Sequence, residues 1–219
     1  MDKRTIVVKG VGTATAKPDF VELSLTLFTD DKEYGAAMAK ASDEIAELKS
    51  AVAGCGFEES ALKTLDFNVD TLYDSVRDER GDYRQVFAGY RCVHRLKLSF
   101  DFVPQRLSDV LTAVGSCRVN PELSIRFTVK DMSAVSEKLI ESAAENARAK
   151  AEVLCRASGV RLGELLSISY DWTDVAFYSQ SEIRNNRIEP LMAKAAFEDS
   201  FEPDDVRASD TATFVWSIE

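Results

Sequence analysis

Histidine is nearly missing from this chain of 219 residues, His94 being its sole example. A His-rich metal site and a catalytic dyad of two histidines are therefore excluded. Cysteine is sparse too: Cys55, Cys92, Cys117 and Cys155 stand far apart with no CxxC pair, which argues against a zinc ribbon or a dithiol redox motif and leaves buried free thiols as the reading. No run of about 18 apolar residues exists, so no helix is expected to span a bilayer. The N-terminus, MDKRTIVVKGVGTATAKPDF, offers only Ile6 to Val8 as an apolar run, too short for a signal-peptide core, and on that ground a cytoplasmic protein is expected. Positive charge is in deficit: 27 Lys and Arg stand against 37 Asp and Glu, a net charge of −10 that opposes attraction to nucleic acid or anionic lipid.

What is present is the composition of a globular protein, 45% hydrophobic and 29% charged. Period-two alternation marks strands in FVELSLTLF, where Val21, Leu23, Leu25 and Leu27 share one face, in LDFNV at Leu65 to Val69, and in YRCVHRLKLSFDF. Further strands are expected at Thr5–Lys9, Leu123–Val129, Leu165–Trp172 and Thr211–Ile218. Helical spacing is equally clear. Tyr34, Met38, Ala41, Ile45, Leu48 and Val52 form one stripe between Asp31 and Gly54, with Asp30 and Glu33 as an expected capping box. A shorter helix starts at Pro104 and should bury Leu107, Val110, Leu111 and Val114.

A third helix is expected from about Ser133 to Ser158, stopped by Gly159. Its ridge, Val135, Leu139, Ala143, Ala147, Ala151 and Cys155, is small in its C-terminal half, which predicts that the helix axis lies close to whatever it packs on. Glu145, Arg148, Glu152 and Arg156 alternate at spacings of three and four and read as a solvated charged face.

VELSLTLFTDD, a long helix, a glycine and ALKTLDFNV resemble LSIRFTVKD, a long helix, a glycine and LGELLSISYDW. The expected fold is thus α+β, a single domain over 1–219 made of two related strand–helix–strand units, with a mainly antiparallel sheet covered by long helices. A right-handed crossover would make the strand pair within each unit parallel. Two segments interrupt the pattern: a charged hairpin tip at Tyr73–Gln85 and a long loop at Thr173–Asp205 that carries scattered aromatic and apolar residues.

No motif here carries chemistry. GVGTATAKPD, Gly10 to Asp19, lacks the third glycine and the following helix of a dinucleotide fingerprint, so it reads as a turn or bulge between strands. Cys92 and His94 share a strand face, yet side chains two apart on a strand are about 6 to 7 Å apart, too far for a direct hydrogen bond. The acidic cluster Glu198, Asp199, Glu202, Asp204 and Asp205 lacks the spacing and central glycine of an EF-hand loop. No catalytic, cofactor-binding or metal-binding residue is assigned.

Four stretches together resemble the SIMPL-domain family: IVVKGVGTATAKPDF, LDFNVDTLY with GYRCVHRLKL, ENARAKAEVLCRASGVRLGELLSI, and EPDDVRASDTATFVWSI. The third is the most specific, with Arg148, Lys150, Ala151 and Glu152 followed by Gly159, Leu162 and Gly163. The resemblance covers nearly the whole chain. It implies repeated strand–helix–strand units and no established enzymatic activity. Family members are mostly described as exported or periplasmic, some linked to oxidative stress and some forming ring- or channel-like oligomers. The expectation is a non-enzymatic, self-associating, stress-related protein in which Tyr73–Gln85 and Thr173–Asp205 make contacts between copies. The alternative is a small-molecule or metal-binding module that uses the same two segments as a lid.

Overall fold

In the computed structural model, residues 4–77, 82–170, 175–185 and 202–219 are described. They form an α+β structure of three helices and eight strands in two antiparallel sheets. The chain divides into two compact units: Asp19–Phe127 with Ser181–Pro203, and Met1–Pro18 with Thr128–Gln180 and Asp204–Glu219.

The unit centred on Asp19–Phe127 is built on a sheet of order β3-β4-β2-β5-β7. Its strands are β2 (Phe20–Asp31), β3 (Lys63–Arg77), β4 (Tyr83–Asp101), β5 (Glu122–Thr128) and β7 (Tyr178–Asn185). The alternation read in the sequence becomes register here. Leu23 stands opposite Leu98 and Leu25 opposite Leu96, and all four are fully buried. Helices α1 (Tyr34–Gly54) and α2 (Pro104–Gly115) cover this face with Leu48, Val52, Leu107, Val110, Leu111 and Val114. Each fully buried leucine contributes about 1.5–3 kcal/mol relative to exposure. The opposite face carries cross-strand ion pairs, Asp30 with Arg91 at 2.7 Å, Asp66 with Arg95 at 3.0 Å, and Glu22 with Lys97.

Helix α1 differs from expectation in two details. Ala37 is fully buried while Tyr34 is half exposed, so the stripe turns toward the alanine and Tyr34 lies edge-on against Tyr90 instead. The capping box does not form. Asp30 is held by Arg91 across the sheet, and the Glu33 N–H donates to Asp31 Oδ1 at 3.1 Å.

The other unit has a sheet of order β1-β8-β6. Here β1 is Thr5–Ala16, β6 is Leu162–Ser169 and β8 is Val206–Ile218, with α3 (Met132–Ala157) across one face. Asp131 caps α3, its carboxylate accepting from the Ala134 N–H at 3.1 Å. The ridge Val135, Leu139, Ala143, Ala147, Ala151, Cys155 is buried at every position, as the sequence predicts.

What it packs on corrects one expectation. Gly10 to Ala16 is neither turn nor bulge, because β1 runs straight through it and pairs with β8 from Thr5↔Ser217 to Ala16↔Val206. The glycines serve proximity. A Cβ at Gly10 would stand 2.1 Å from the Ala143 carbonyl oxygen, and one at Gly12 2.0 Å from that of Leu139. Val8, Gly10, Gly12 and Ala14 are thus the inward-facing positions of an ordinary strand, whose small members admit the helix backbone.

The expected parallel pairs do not form either. β2 and β3 both run antiparallel to β4, which lies between them, while β5 and β6 belong to different sheets. The 19-residue β4 takes the place beside β2 that a simple crossover would have given to β3.

Candidate functional site

The lone histidine is buried on β4, close to the buried Thr29 of β2. Cys92 and His94 occupy successive inward positions of β4, opposite Thr29 and Leu27 of β2. Both are more than nine-tenths buried. Nε2 of His94 shares a 2.9 Å hydrogen bond with Thr64 Oγ1 of β3, the Phe67 ring stands edge-on at 5.0 Å, and Nδ1 is buried without a hydrogen-bond partner. Cys92 packs instead with Ala37 and Ala41 of α1, and the neighbouring Thr29 hydroxyl donates to Glu44 of the same helix.

Electrostatics decide what this arrangement can do. Burial, reinforced by Lys49, holds the His94 pKa below its ordinary value, against a smaller opposing pull from Asp66. The imidazole is therefore neutral at neutral pH. Burial, with Asp30 and Glu44 nearby, pushes the Cys92 thiol up, so it stays protonated and weakly nucleophilic. The structure places the two residues on one strand face without joining them: Cys92 packs beneath α1, while His94 meets Thr64 and Phe67 of β3. Thr64 and Glu44, the polar partners, escaped sequence reading because both lie far from the β4 motif along the chain.

Of the acidic cluster, Glu202, Asp204 and Asp205 are described. Glu198 and Asp199 lie outside the described residues, and among those described no three His, Cys, Asp or Glu side chains come together in a way that could hold a metal ion. Asp204 lends its carbonyl to the Ser179 hydroxyl at 2.6 Å. Residues 171–174 and 186–201 of the long-loop segment are likewise outside the described part, and Tyr178–Asn185 within it is β7. An open apolar groove of about 500 Å³ is walled by Val8, Asn146, Ala149, Lys150, Val153 and Leu154. Among the described residues its lining includes none from the hairpin or the long-loop segment.

The hairpin itself is the more distinctive feature. β3 and β4 continue as a two-stranded arm, with Tyr73 opposite Phe87, Val76 opposite Arg84 and Arg77 opposite Tyr83. Its side chains are large and uncovered: Tyr73 is 58% exposed, Tyr83 72% and Phe87 49%, with Val76 and Val86 exposed beside them. At the base the register slips between Leu72 and Tyr73, so that Ala88 is the extra residue of a bulge. Gly89 makes this possible: its φ is +148°, and a Cβ there would stand 2.5 Å from the Asp31 carbonyl oxygen. An isolated glycine within a strand pattern was the available signal for this bend.

A family profile described as a protein of unknown function (DUF541, SIMPL) matches residues 6–216. The 26 kDa periplasmic immunogenic protein of Brucella melitensis biotype 1 is 27% identical over 164 residues, 75% of this chain and 65% of that protein. Its namesake in Brucella abortus strain S19 is 26% identical over the same shares, so the chain spans about two thirds of the length of these relatives, just under it. The uncharacterized protein YggE of Edwardsiella ictaluri is 19% identical over 97% of this chain and 86% of its own. Two relatives named as periplasmic overturn the expectation of a cytoplasmic protein. That expectation rested on the lack of an apolar leader core near the first residues, which is a property of where a sequence starts and says nothing about the folded part. With the strand–helix–strand elements, the alanine ridge on β1 and a profile match across nearly its whole length, this chain belongs to the SIMPL family.

Proposed function

We propose that this chain is an exported, non-enzymatic protein that works by self-association, with the β3–β4 arm as its contact surface. The observation that carries the reading is the exposure of Tyr73, Val76, Tyr83, Val86 and Phe87 on a two-stranded projection. On this arm Tyr73, Tyr83 and Phe87 share one face and Val76 and Val86 the other; large exposed apolar side chains gathered on one element mark interaction sites, and tyrosines anchor interfaces at low entropic cost. Export is supported by the names of the Brucella relatives, and a role in stress is part of the same reading. The interior polar site gives no support to catalysis, since its thiol is held protonated and its histidine is locked to Thr64.

Sedimentation velocity on wild type and on Tyr83→Ser with Phe87→Ser tests this. Wild type should sediment as more than a monomer at micromolar concentration, and the double variant should shift toward monomer with unchanged circular dichroism. A monomeric wild type, or a double variant of unaltered size, rejects the reading.

A further inference from the structure

The sheet β1-β8-β6 has two edges, and they are finished differently. At the β1 edge the backbone groups that point away from β8 are met by α3: the Val11 N–H donates to Asn146 Oδ1 at 3.0 Å, the Thr13 N–H to Ser142 Oγ at 3.2 Å, and Lys150 Nζ donates to the Lys9 carbonyl at 3.3 Å. Side chains of one helix thus close that edge against any incoming strand. At the β6 edge no such closure exists among the described residues, where β6 is bonded to β8 alone. The register of β6 against β8 slips twice, between Leu162 and Leu165 and between Leu165 and Ser167, but charge and proline do little to guard this edge. β6 has no proline and no lysine, and its single charge is Glu164. Leu165 is 47% exposed, Ile168 56%, and Leu166 is exposed beside them. Leu165 and Ile168 stand opposite Trp216 and Phe214 of β8, whose rings stack at 5.5 Å, so the apolar surface runs from the core out to the open edge.

We propose that the β6 edge is a strand-pairing site for β6 of a second copy of this chain, giving an antiparallel ladder across a twofold axis. The charge pattern favours self-pairing. Registers centred on Leu165, between Leu165 and Leu166, or on Leu166 set Glu164 opposite Leu166, Ser167 or Ile168, so identical strands meet without like charges. Leucine and isoleucine from both copies then cover one another, and the unpaired N–H and C=O groups are satisfied. Two strands of eight residues bury less than the roughly 1,200 Å² of a stable interface. The ladder therefore acts beside the arm contact and rests on that reading, and two different contacts on one chain make an assembly larger than either alone.

The test is light scattering of the full chain with hydrogen exchange at low and high concentration. Leu166→Lys with Ile168→Lys changes only exposed positions and should lower the weight-average mass at least twofold with unchanged circular dichroism. In wild type, β6 amides should be protected at high concentration and lose at least tenfold in protection on dilution, whereas Val11 and Thr13 amides stay protected throughout. If the β6 variant keeps its mass while the arm variant loses it, or if β6 amides exchange alike at both concentrations, the ladder is wrong and the arm reading stands. A wild type that is monomeric at both concentrations removes both.

Discussion

The two units both cover an antiparallel sheet with helix, and they do so with opposite materials. Between β2, β4, α1 and α2 the space is filled by volume, with leucine, valine and phenylalanine from every element buried together. Between α3 and β1 there is scarcely a space: Gly10 and Gly12 face Ala143, Ala147 and the Leu139 carbonyl, and the backbones nearly touch. The first kind of packing tolerates exchange of one apolar side chain for another of similar size. The second has no slack, because an added methyl group meets a carbonyl oxygen fixed in a helix. The alanines of α3 therefore set the distance between helix and sheet, and with it the line-up of Asn146, Ser142 and Lys150 on the edge of β1.

The contrast can be pressed from both sides. The largest effect in the volume-filled unit should come from Leu98→Ala, which leaves a hole at a fully buried site and should cost about 2–5 kcal/mol by urea denaturation. In the close-packed unit the opposite change is the harmful one. Ala147→Leu or Ala151→Leu adds volume where exposure is 0%, at about 1–3 kcal/mol, and more where the helix must lift. If Ala147→Leu is neutral, α3 does not sit where its buried ridge places it.

His94 gives a smaller, pH-dependent effect confined to the unit that holds it. Its folded pKa is depressed from 6.5, so the unfolded chain binds the proton first. Stability should be insensitive to this group above about pH 6.5 and fall as pH drops below it, by at most about 1.4 kcal/mol per pH unit. His94→Gln should flatten that limb, and an equal slope in wild type and variant would show that His94 does not carry it. Asp30, lowered from 3.8 chiefly by its bond to Arg91, acts only at still lower pH. Smallest of all is Arg148→Ala. Arg148 and Glu152 pair at 3.2 Å on the open face of α3, and such pairs contribute about 0–1 kcal/mol. A loss of several kcal/mol would show Arg148 to be an anchor.

How much of this was legible follows from which interactions are local. The α3 ridge and the apolar faces of β2 and α2 are periodic, so every buried position of that ridge could be named from spacing alone. Gly10 and Gly12 misled because a glycine signals a turn by default, and the partner that explains them, α3, begins more than a hundred residues later. The insertion of β4 between β2 and β3 was hidden for the same reason, strand order being a matter of long-range pairing. At the interior polar site the poor reach between Cys92 and His94 was readable from strand geometry. Thr64 as the histidine's partner was not, since β3 and β4 register fixes it.

One substitution made at two places tests the proximity of α3 and β1 most directly. Gly35 in α1 has nothing within 4 Å of where a Cβ would go, while a Cβ at Gly12 would lie 2.0 Å from a backbone oxygen. Measured by urea denaturation, Gly35→Ala should be neutral or stabilising by up to about 1 kcal/mol through helix propensity, and Gly12→Ala should destabilise by at least the upper part of the roughly 1–3 kcal/mol range for overpacking. Two variants of equal stability would contradict the close approach of helix and strand.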